Sequence, residues 1–115
     1  MCKGICKLHD NIMGAGIIER AKLVAIYTKP GTPIPSEEEF GKLFLQTEII
    51  ASIAKTNRDF FGRPRHFTMS FENTDLYFFL LSEYGLTGTL AVQIGQPHNH
   101  EDIVSRIGEF LTGTM

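Results

Sequence analysis

The sequence lacks the features that mark membrane, secreted and nucleic-acid-binding proteins. No segment approaches the roughly 18 apolar residues that a membrane span needs. The first residues have neither the apolar core nor the small-residue cleavage site of a signal peptide. The formal net charge is only -2, which gives no general attraction to nucleic acid or to an anionic membrane. We therefore expect a soluble, cytoplasmic protein whose partners include neither nucleic acid nor membrane.

Cysteine is also scarce, since Cys2 and Cys6 are the only two in the chain. They are too close in sequence to close a loop of stabilising size, so we expect reduced thiols. At 115 residues, with 43% hydrophobic and 21% charged residues, the chain has the size and composition of one ordinary globular domain. The one linker-like stretch, the proline-rich segment 29–35, is short and indicates a connection inside that single domain, which spans residues 1–115.

The clearest local signal is the start of a long helix after Ser36. Ser36-Glu-Glu-Glu39 has the spacing of a capping box, in which the serine hydroxyl and the glutamate carboxylate each accept a hydrogen bond from the other residue's backbone amide. The helix is predicted to run from about Glu37 to Phe61, because Gly62 then interrupts it.

This helix carries apolar residues on two opposite sides. At about 100° per residue, eight residues share one broad face: Phe40, Leu43, Phe44, Thr47, Ile50, Ala51, Ala54 and Phe61. A second stripe on roughly the opposite side consists of Leu45, Ile49, Ile53 and Phe60. A surface helix of a monomer normally shows one apolar stripe. The second stripe therefore predicts burial inside the domain or against another molecule, and we interpret it as a dimer interface.

The residues before and after this long helix in the sequence show further helix and strand patterns. Three- and four-residue apolar spacings over residues 2–13 predict a short first helix, and two strands joined at about Glu19 to Lys22 follow it. Three further strands are predicted after the long helix, at about 65–73, 76–81 and 89–94. In the first of these, Phe67, Met69 and Phe71 alternate onto the buried side. A last helix runs from about His100 to Leu111, with Asn99 as its N-cap.

The predicted fold is α+β, with an antiparallel five-stranded sheet, helices on both faces and the order α-β-β-α-β-β-β-α. This order, the glycine-bearing first strand Met13-Gly-Ala-Gly-Ile-Ile-Glu19 and the three-strand meander before the last helix resemble the roadblock/dynein light-chain domain family. The family commonly has an Asp-Gly type turn where this chain has Arg20-Ala-Lys22. The resemblance implies a non-catalytic homodimer, formed through the long helix and an edge strand. It also implies a scaffold or regulator of small GTPases or motor complexes.

Two groups of side chains suggest a metal site instead. Cys2, Cys6 and His9 would share one face of a helix, and thiolates with imidazole are good zinc ligands. A hydrophobic helix face, on which cysteine acts as a small apolar residue, explains the same pattern. His98 and His100 precede two carboxylates and could bind a divalent metal, although polar residues there also suit a helix start. The alternative function is thus a small sensor domain that binds a metal or small ligand, while the main hypothesis needs no cofactor.

Catalytic signals are weak throughout the sequence. No serine lies in a Gly-x-Ser-x-Gly context, and the glycines match neither a P-loop nor a dinucleotide fingerprint. Glu72, Asp75 and Glu83 lie near predicted strand ends and could form a carboxylate cluster, although strand ends are ordinary places for acidic residues. The aromatic run from Tyr77 to Phe79 could line a pocket, but aromatic residues on a central strand are usually core. The sequence therefore favours an interaction module over an enzyme.

Overall fold

The computed structural model describes residues 1–113, which form one α+β unit around a five-stranded sheet. The helices are α1 (Cys2–Cys6), α2 (Glu37–Thr56), α3 (Arg58–Phe61) and α4 (His100–Gly113), with a 3-10 turn at Leu81–Tyr84. The strands are β1 (Ile12–Glu19), β2 (Lys22–Thr28), β3 (His66–Ser70), β4 (Thr74–Leu80) and β5 (Thr89–Gly95). The predicted order of elements is confirmed.

The sheet has the order β2-β1-β5-β4-β3, and every neighbouring pair is antiparallel. The first and last strands of the chain meet in the middle of the sheet, where β1 pairs with β5. β4 is a central strand, as its continuous apolar sequence predicted, and β2 and β3 are the two edges. Edge strands carry backbone groups that no neighbouring strand uses, so both edges can accept a further strand.

One face of the sheet is covered by α1 and α4 and holds the main hydrophobic core. Ile5 of α1 and Ile103 and Ile107 of α4 are fully buried in the same cluster as Val92 and Ile94 of β5. The N-cap of α4 forms as predicted, because the Asn99 side chain accepts a hydrogen bond of 2.9 Å from the Asp102 amide. This face is therefore a closed core within one chain.

The other face is covered by α2, whose start was predicted correctly. Glu39 N donates to Ser36 Oγ at 3.2 Å and Ser36 N donates to Glu39 Oε1 at 3.4 Å, so both hydrogen bonds of the capping box are present. Only Phe44, Thr47 and Ala51 of this 20-residue helix are buried. The cover that α2 gives the sheet is therefore much thinner than the cover on the opposite face.

The turn between β1 and β2 consists of Arg20 and Ala21, two residue types that rarely adopt the backbone conformation of such a turn. Arg20 and Ala21 have φ angles of 52° and 60°, which is the left-handed region that a two-residue hairpin turn of type I′ requires. Most residues have a conformational cost in this left-handed region, and the cost is smaller for glycine and asparagine. Ala21 N donates to Glu48 Oε1 of α2 at 3.2 Å, which ties this turn to the middle of the helix.

Three details of the sequence prediction are wrong. The first helix ends at Cys6 instead of continuing to Met13, because Ile12 already pairs with Ile94 in the sheet. The long helix is interrupted at Asn57, and its last turn is the separate α3. β3 ends at Ser70, and Phe71 is 55% exposed beside the turn instead of buried. In each case a local pattern extended further than the tertiary contacts allow.

Candidate interaction surface

The second apolar stripe of the long helix lies on the surface of the chain. The exposed fractions are 58% for Leu45, 53% for Ile49, 57% for Ile53 and 84% for Phe60. Leu45, Ile49 and Ile53 are four residues apart, so they follow one side of α2 for about 12 Å, and Phe60 lies beyond the interruption at Asn57, in α3. Several large apolar side chains in one row on a globular domain indicate an interaction site, because single chains rarely leave such patches open.

The opposite side of α2 faces the sheet only in its middle. Thr47 is buried there, and its hydroxyl donates to the Leu43 carbonyl at 2.8 Å, so its polar group is satisfied. Phe61 was predicted on this sheet-facing side, but its side chain is 78% exposed. Phe61 belongs to the separate α3, so the periodicity of α2 does not carry through to it. The exposed apolar surface is thus larger than the sequence predicted.

The C-terminal end of the helix is held by one acidic side chain. Glu83, in the 3-10 turn after β4, binds Arg63 Nε at 2.7 Å and Arg58 Nη1 at 3.4 Å. Its side chain is nearly buried, whereas both arginines are largely exposed. Phe60 and Phe61 lie between these arginines in sequence, and their rings contact edge to face at 4.7 Å between centroids. The result is an aromatic pair flanked by two arginines that share one carboxylate.

A groove of about 470 Å³ opens between the N-terminal half of α2 and the sheet. Its helix wall is formed by Phe40, Leu43 and Phe44, and its rim includes Ile34 of the proline-rich connection. Its floor is formed by residues of β1, β2, β4 and β5, with the two glycines of β1 contributing no side chain. Most of its lining is apolar, which is typical of surfaces that bind an apolar group.

The predicted Cys2, Cys6 and His9 face does not form. Cys2 and Cys6 are buried in the core, where burial is the main cause that raises the pKa of both thiols. His9 lies beyond the end of α1, and its Nδ1 accepts a hydrogen bond of 3.0 Å from the Asn11 amide. Within residues 1–113, no group of three or more histidine, cysteine, aspartate and glutamate side chains is arranged to hold a metal ion.

His98 and His100 lie in a polar network instead of pointing at a common centre. His98 Nε2 is 2.7 Å from Asp75 Oδ2, and His100 Nδ1 is 2.7 Å from the Tyr77 hydroxyl. Hydrogen bonds from Ser70 first, and then from Gln96 and His98, hold the pKa of Asp75 below its usual value despite partial burial. This network fastens the start of α4 to β4.

The sequence prediction missed His66, which joins the same network from β3. Its ring lies 5.8 Å from His100 and 6.4 Å from Tyr77, between centroids. Burial, followed by the charges of His100 and Arg65, lowers the pKa of His66. The Nδ1 atoms of His66 and His98 are buried without a hydrogen-bond partner among the described residues. No local pattern signals this cluster, because its members come from two strands, a loop and the start of a helix.

The remaining candidate residues do not assemble into a catalytic site. Asp75 lies at the first end of β4, while Glu83 lies beyond its other end and pairs with two arginines. Glu72 is exposed in the turn before β4 and joins neither of them. Tyr77, Phe78 and Phe79 are buried, as expected of core residues on a central strand. No helix of the described chain is long and apolar enough to cross a membrane.

Solved structures with the same architecture are numerous, although their sequences differ greatly from this one. A Roadblock/LC7 domain from Streptomyces avermitilis superposes with a TM-score of 0.71 at 11% identity, covering 98% of this chain and 90% of that one. An MglB structure described as having a tetrameric arrangement gives 0.69 at 13% identity, over 98% of this chain and 80% of that one. MglC from Myxococcus xanthus gives 0.66 at 11% identity, over 99% and 95%.

No protein-family model matches the sequence, and no curated protein matches it. At identities of 11–13%, the structural likeness establishes the fold. The resemblance that the sequence predicted is therefore confirmed at the level of the fold: the chain has the fold of the roadblock domains among these structures.

Proposed function

We propose that this chain is a homodimeric, non-catalytic scaffold or regulatory module of the roadblock type. The observation that carries the proposal is the exposed apolar stripe formed by Leu45, Ile49, Ile53 and Phe60. The fold itself does not need these side chains, because the face of α2 toward the sheet is supplied by other residues. An interaction with a second molecule is the simplest physical reason for them.

The spacing of the stripe suits self-association. If two copies of α2 lie antiparallel with a two-fold axis near Ile49, Leu45 of each copy faces Ile53 of the other, and the two Ile49 side chains face each other. Each of these side chains is about half exposed in the single chain, so pairing removes apolar surface from both copies. Burial of half an isoleucine or leucine side chain contributes about 1 kcal/mol. Six such side chains at the two-fold would therefore contribute about 6 kcal/mol before association entropy.

The edge strand β3 offers a second contact for the same dimer. Its outer edge has no neighbouring strand in the described chain, and Phe67 of β3 stacks on Phe78 of β4 at 4.7 Å between ring centroids. A second copy pairing along this edge would extend the sheet and satisfy its free backbone groups. The family resemblance implies the same pair of elements, a long helix and an edge strand.

The broader role rests on the proteins that share the fold. The neighbours include MglB, one structure of which is described as a gliding protein from Thermus thermophilus, and another as tetrameric. We propose for this chain a cytoplasmic role as a regulator or scaffold for a protein partner, with a small GTPase or a motor complex as the expected kind. Fold alone does not select the partner, because function resides in the surface.

The first test of this proposal is the solution mass by light scattering after gel filtration, across a range of concentrations. The expected result is a mass twice that of the 12.9 kDa chain, falling toward the single chain only on strong dilution. A clean single-chain mass at every concentration would contradict the homodimer. Pull-down of a nucleotide-loaded small GTPase by the purified dimer then tests the partner class.

The alternative proposal, a sensor that binds a metal or small ligand, is favoured by one observation. His98 has a buried Nδ1 with no partner among the described residues, and Asp75 holds its other ring nitrogen, as a carboxylate holds many metal-binding histidines. Metal analysis of protein purified without a histidine tag separates the two proposals. A full equivalent of zinc, nickel or copper would support the sensor, and less than about a tenth of an equivalent would count against it.

A further inference from the structure

The floor of the groove between α2 and the sheet has the shape of a trough. One row of paired residues crosses the four strands of this floor in the order Ile26, Gly16, Ala91 and Phe78. The two inner strands therefore contribute the small residues and the two outer strands contribute the large ones. The space above the inner strands is open to a bulky apolar side chain from another molecule.

The rim of the groove exposes more apolar surface than a ligand inside the trough would cover. Three large apolar side chains on the rim are about half exposed, with fractions of 47% for Ile26, 57% for Ile34 and 55% for Phe71. They belong to β2, to the proline-rich connection and to the turn before β4. A small molecule in the trough would leave the outer parts of these side chains in water, whereas a protein segment lying across the mouth of the groove would cover them.

The charges around this part of α2 are mainly acidic. Three glutamates at residues 37–39 form the first turn of α2, and the last of them lines the groove. Glu72 is exposed in the turn before β4, beside the rim. Lys42 offsets one of these acids through its ion pair with Glu38 at 3.6 Å, and the ammonium group of Lys29 donates to two backbone carbonyls before β1. The remaining acidic charge favours a basic partner.

The backbone of the sheet favours a helix over an extended strand as the occupant. β1, β5 and β4 on the floor have neighbouring strands on both sides, so they offer no free edge for a further strand inside the groove. A segment that lies there must satisfy its own backbone hydrogen bonds, as a helix does.

We infer that this groove is a docking site for a basic amphipathic helix of another protein. A bulky apolar side chain of that helix would lie in the trough, and its lysine or arginine side chains would lie beside residues 37–39 and Glu72. The inference goes beyond the proposed homodimer and does not depend on it. The groove opens on the side of α2 that faces the sheet, whereas the stripe proposed for self-association lies on roughly the opposite side.

The probe for this site is a fluorescently labelled synthetic helix of about 14 residues, with leucine and one tryptophan on one side and lysine on the other. The matched control peptide has glutamate in place of every lysine. The anisotropy of each peptide is measured against increasing protein concentration. The basic helix is expected to bind, and the acidic helix is expected to bind at least about tenfold more weakly.

Variants with similar exposure in the wild-type chain locate the binding. Ile34→Ser and Phe71→Ser are each expected to weaken binding of the basic helix about fivefold or more, because each removes half of a large apolar side chain from the contact. Val24→Ser and Leu45→Ser are the controls, since these residues are 55% and 58% exposed and lie outside the groove. Each control is expected to change the affinity by less than about twofold.

Charge reversal tests the acidic rim separately. Glu37→Lys is expected to weaken binding of the basic helix, whereas Glu101→Lys, which changes the first turn of α4 on the other face of the sheet, is expected to leave it unchanged. No binding of the basic helix, equal binding of the acidic helix, or an equal loss on Leu45→Ser would overturn the inference. The solution mass of Ile34→Ser is measured on the same samples. A mass that falls to the single chain in this variant would identify a second copy as the occupant and would also overturn the inference, whereas a monomeric wild-type protein that binds the probe through Ile34 would overturn only the homodimer.

Discussion

Replacing Ile49 by aspartate is the sharpest test of the surface on α2. Ile49 is the middle residue of the exposed stripe, so in an antiparallel pair it faces its own copy across the two-fold axis. In the single chain about half of its side chain is in water, so the new carboxylate stays hydrated and the fold is expected to keep its stability within about 0.5 kcal/mol. The whole effect of the substitution should therefore fall on the dimer.

The expected loss of dimerisation free energy on Ile49→Asp has two contributions. Loss of half an isoleucine side chain from each copy removes about 2 kcal/mol of apolar burial from the pair. Two carboxylates in contact and away from water add a desolvation and repulsion cost of several kcal/mol, unless they take up protons. The sum is at least about 4 kcal/mol, which is close to a thousandfold increase in the dissociation constant.

The assay is sedimentation or light scattering over a concentration series, together with denaturant unfolding of each variant. Ser105→Asp is the matched control, because Ser105 is an exposed residue of α4, away from the stripe. Ile49→Val should retain the dimer. A dimer that survives Ile49→Asp with an unchanged dissociation constant would refute the reasoning, since no interface can bury that position and be insensitive to two added charges.

Three other expectations concern stability and reactivity. The pKa of His66 is lowered in the fold, so the unfolded chain takes up its proton first as pH falls below about 6.5. Unfolding free energy should therefore decrease from that pH downward until the folded pKa is passed, and His66→Gln should remove this part of the slope in denaturant titrations. Ala21→Gly should raise the unfolding free energy by about 0.5–1 kcal/mol by relieving its φ of 60°, and no gain would contradict strain at this turn. Cys2 and Cys6 should react with a thiol reagent only after denaturation, and rapid labelling of the native protein would contradict their burial.

The parts of the fold that depend on neighbouring residues were predictable from the sequence. The capping box at Ser36 needs only residues three apart, and both of its hydrogen bonds are present. The continuous apolar run of β4 requires cover on both faces, which fixes that strand inside the sheet. The prediction that α2 carries apolar residues on two opposite sides is also confirmed. Helix geometry places Ile49 opposite Thr47 and Ala51, independently of the residues around them.

The predictions that were wrong depend on contacts between residues that are distant in the sequence. The apolar spacing continued past Cys6, but pairing of Ile12 with Ile94 pulled that residue into the sheet. Phe61 has the position of a core residue if the helix is continuous, yet the helix is interrupted at Asn57 and Phe61 is exposed in the separate α3. His66 joined His100 only because the strand order sets β3 beside β4. The periodicity of apolar residues predicts the side of a helix or strand on which a side chain lies. It does not predict whether another part of the chain packs against that side.

The divergence from the fold's other members strengthens the case for the surface of α2. At 11–14% identity, the solved neighbours share an architecture that many sequences can build, so the architecture alone does not select Leu45, Ile49 and Ile53. Polar residues at these positions would support the same helix and would keep a monomer soluble. Four large apolar side chains in one row lower solubility unless a partner covers them. The stripe is therefore a feature that the proposed dimer requires and the single chain does not.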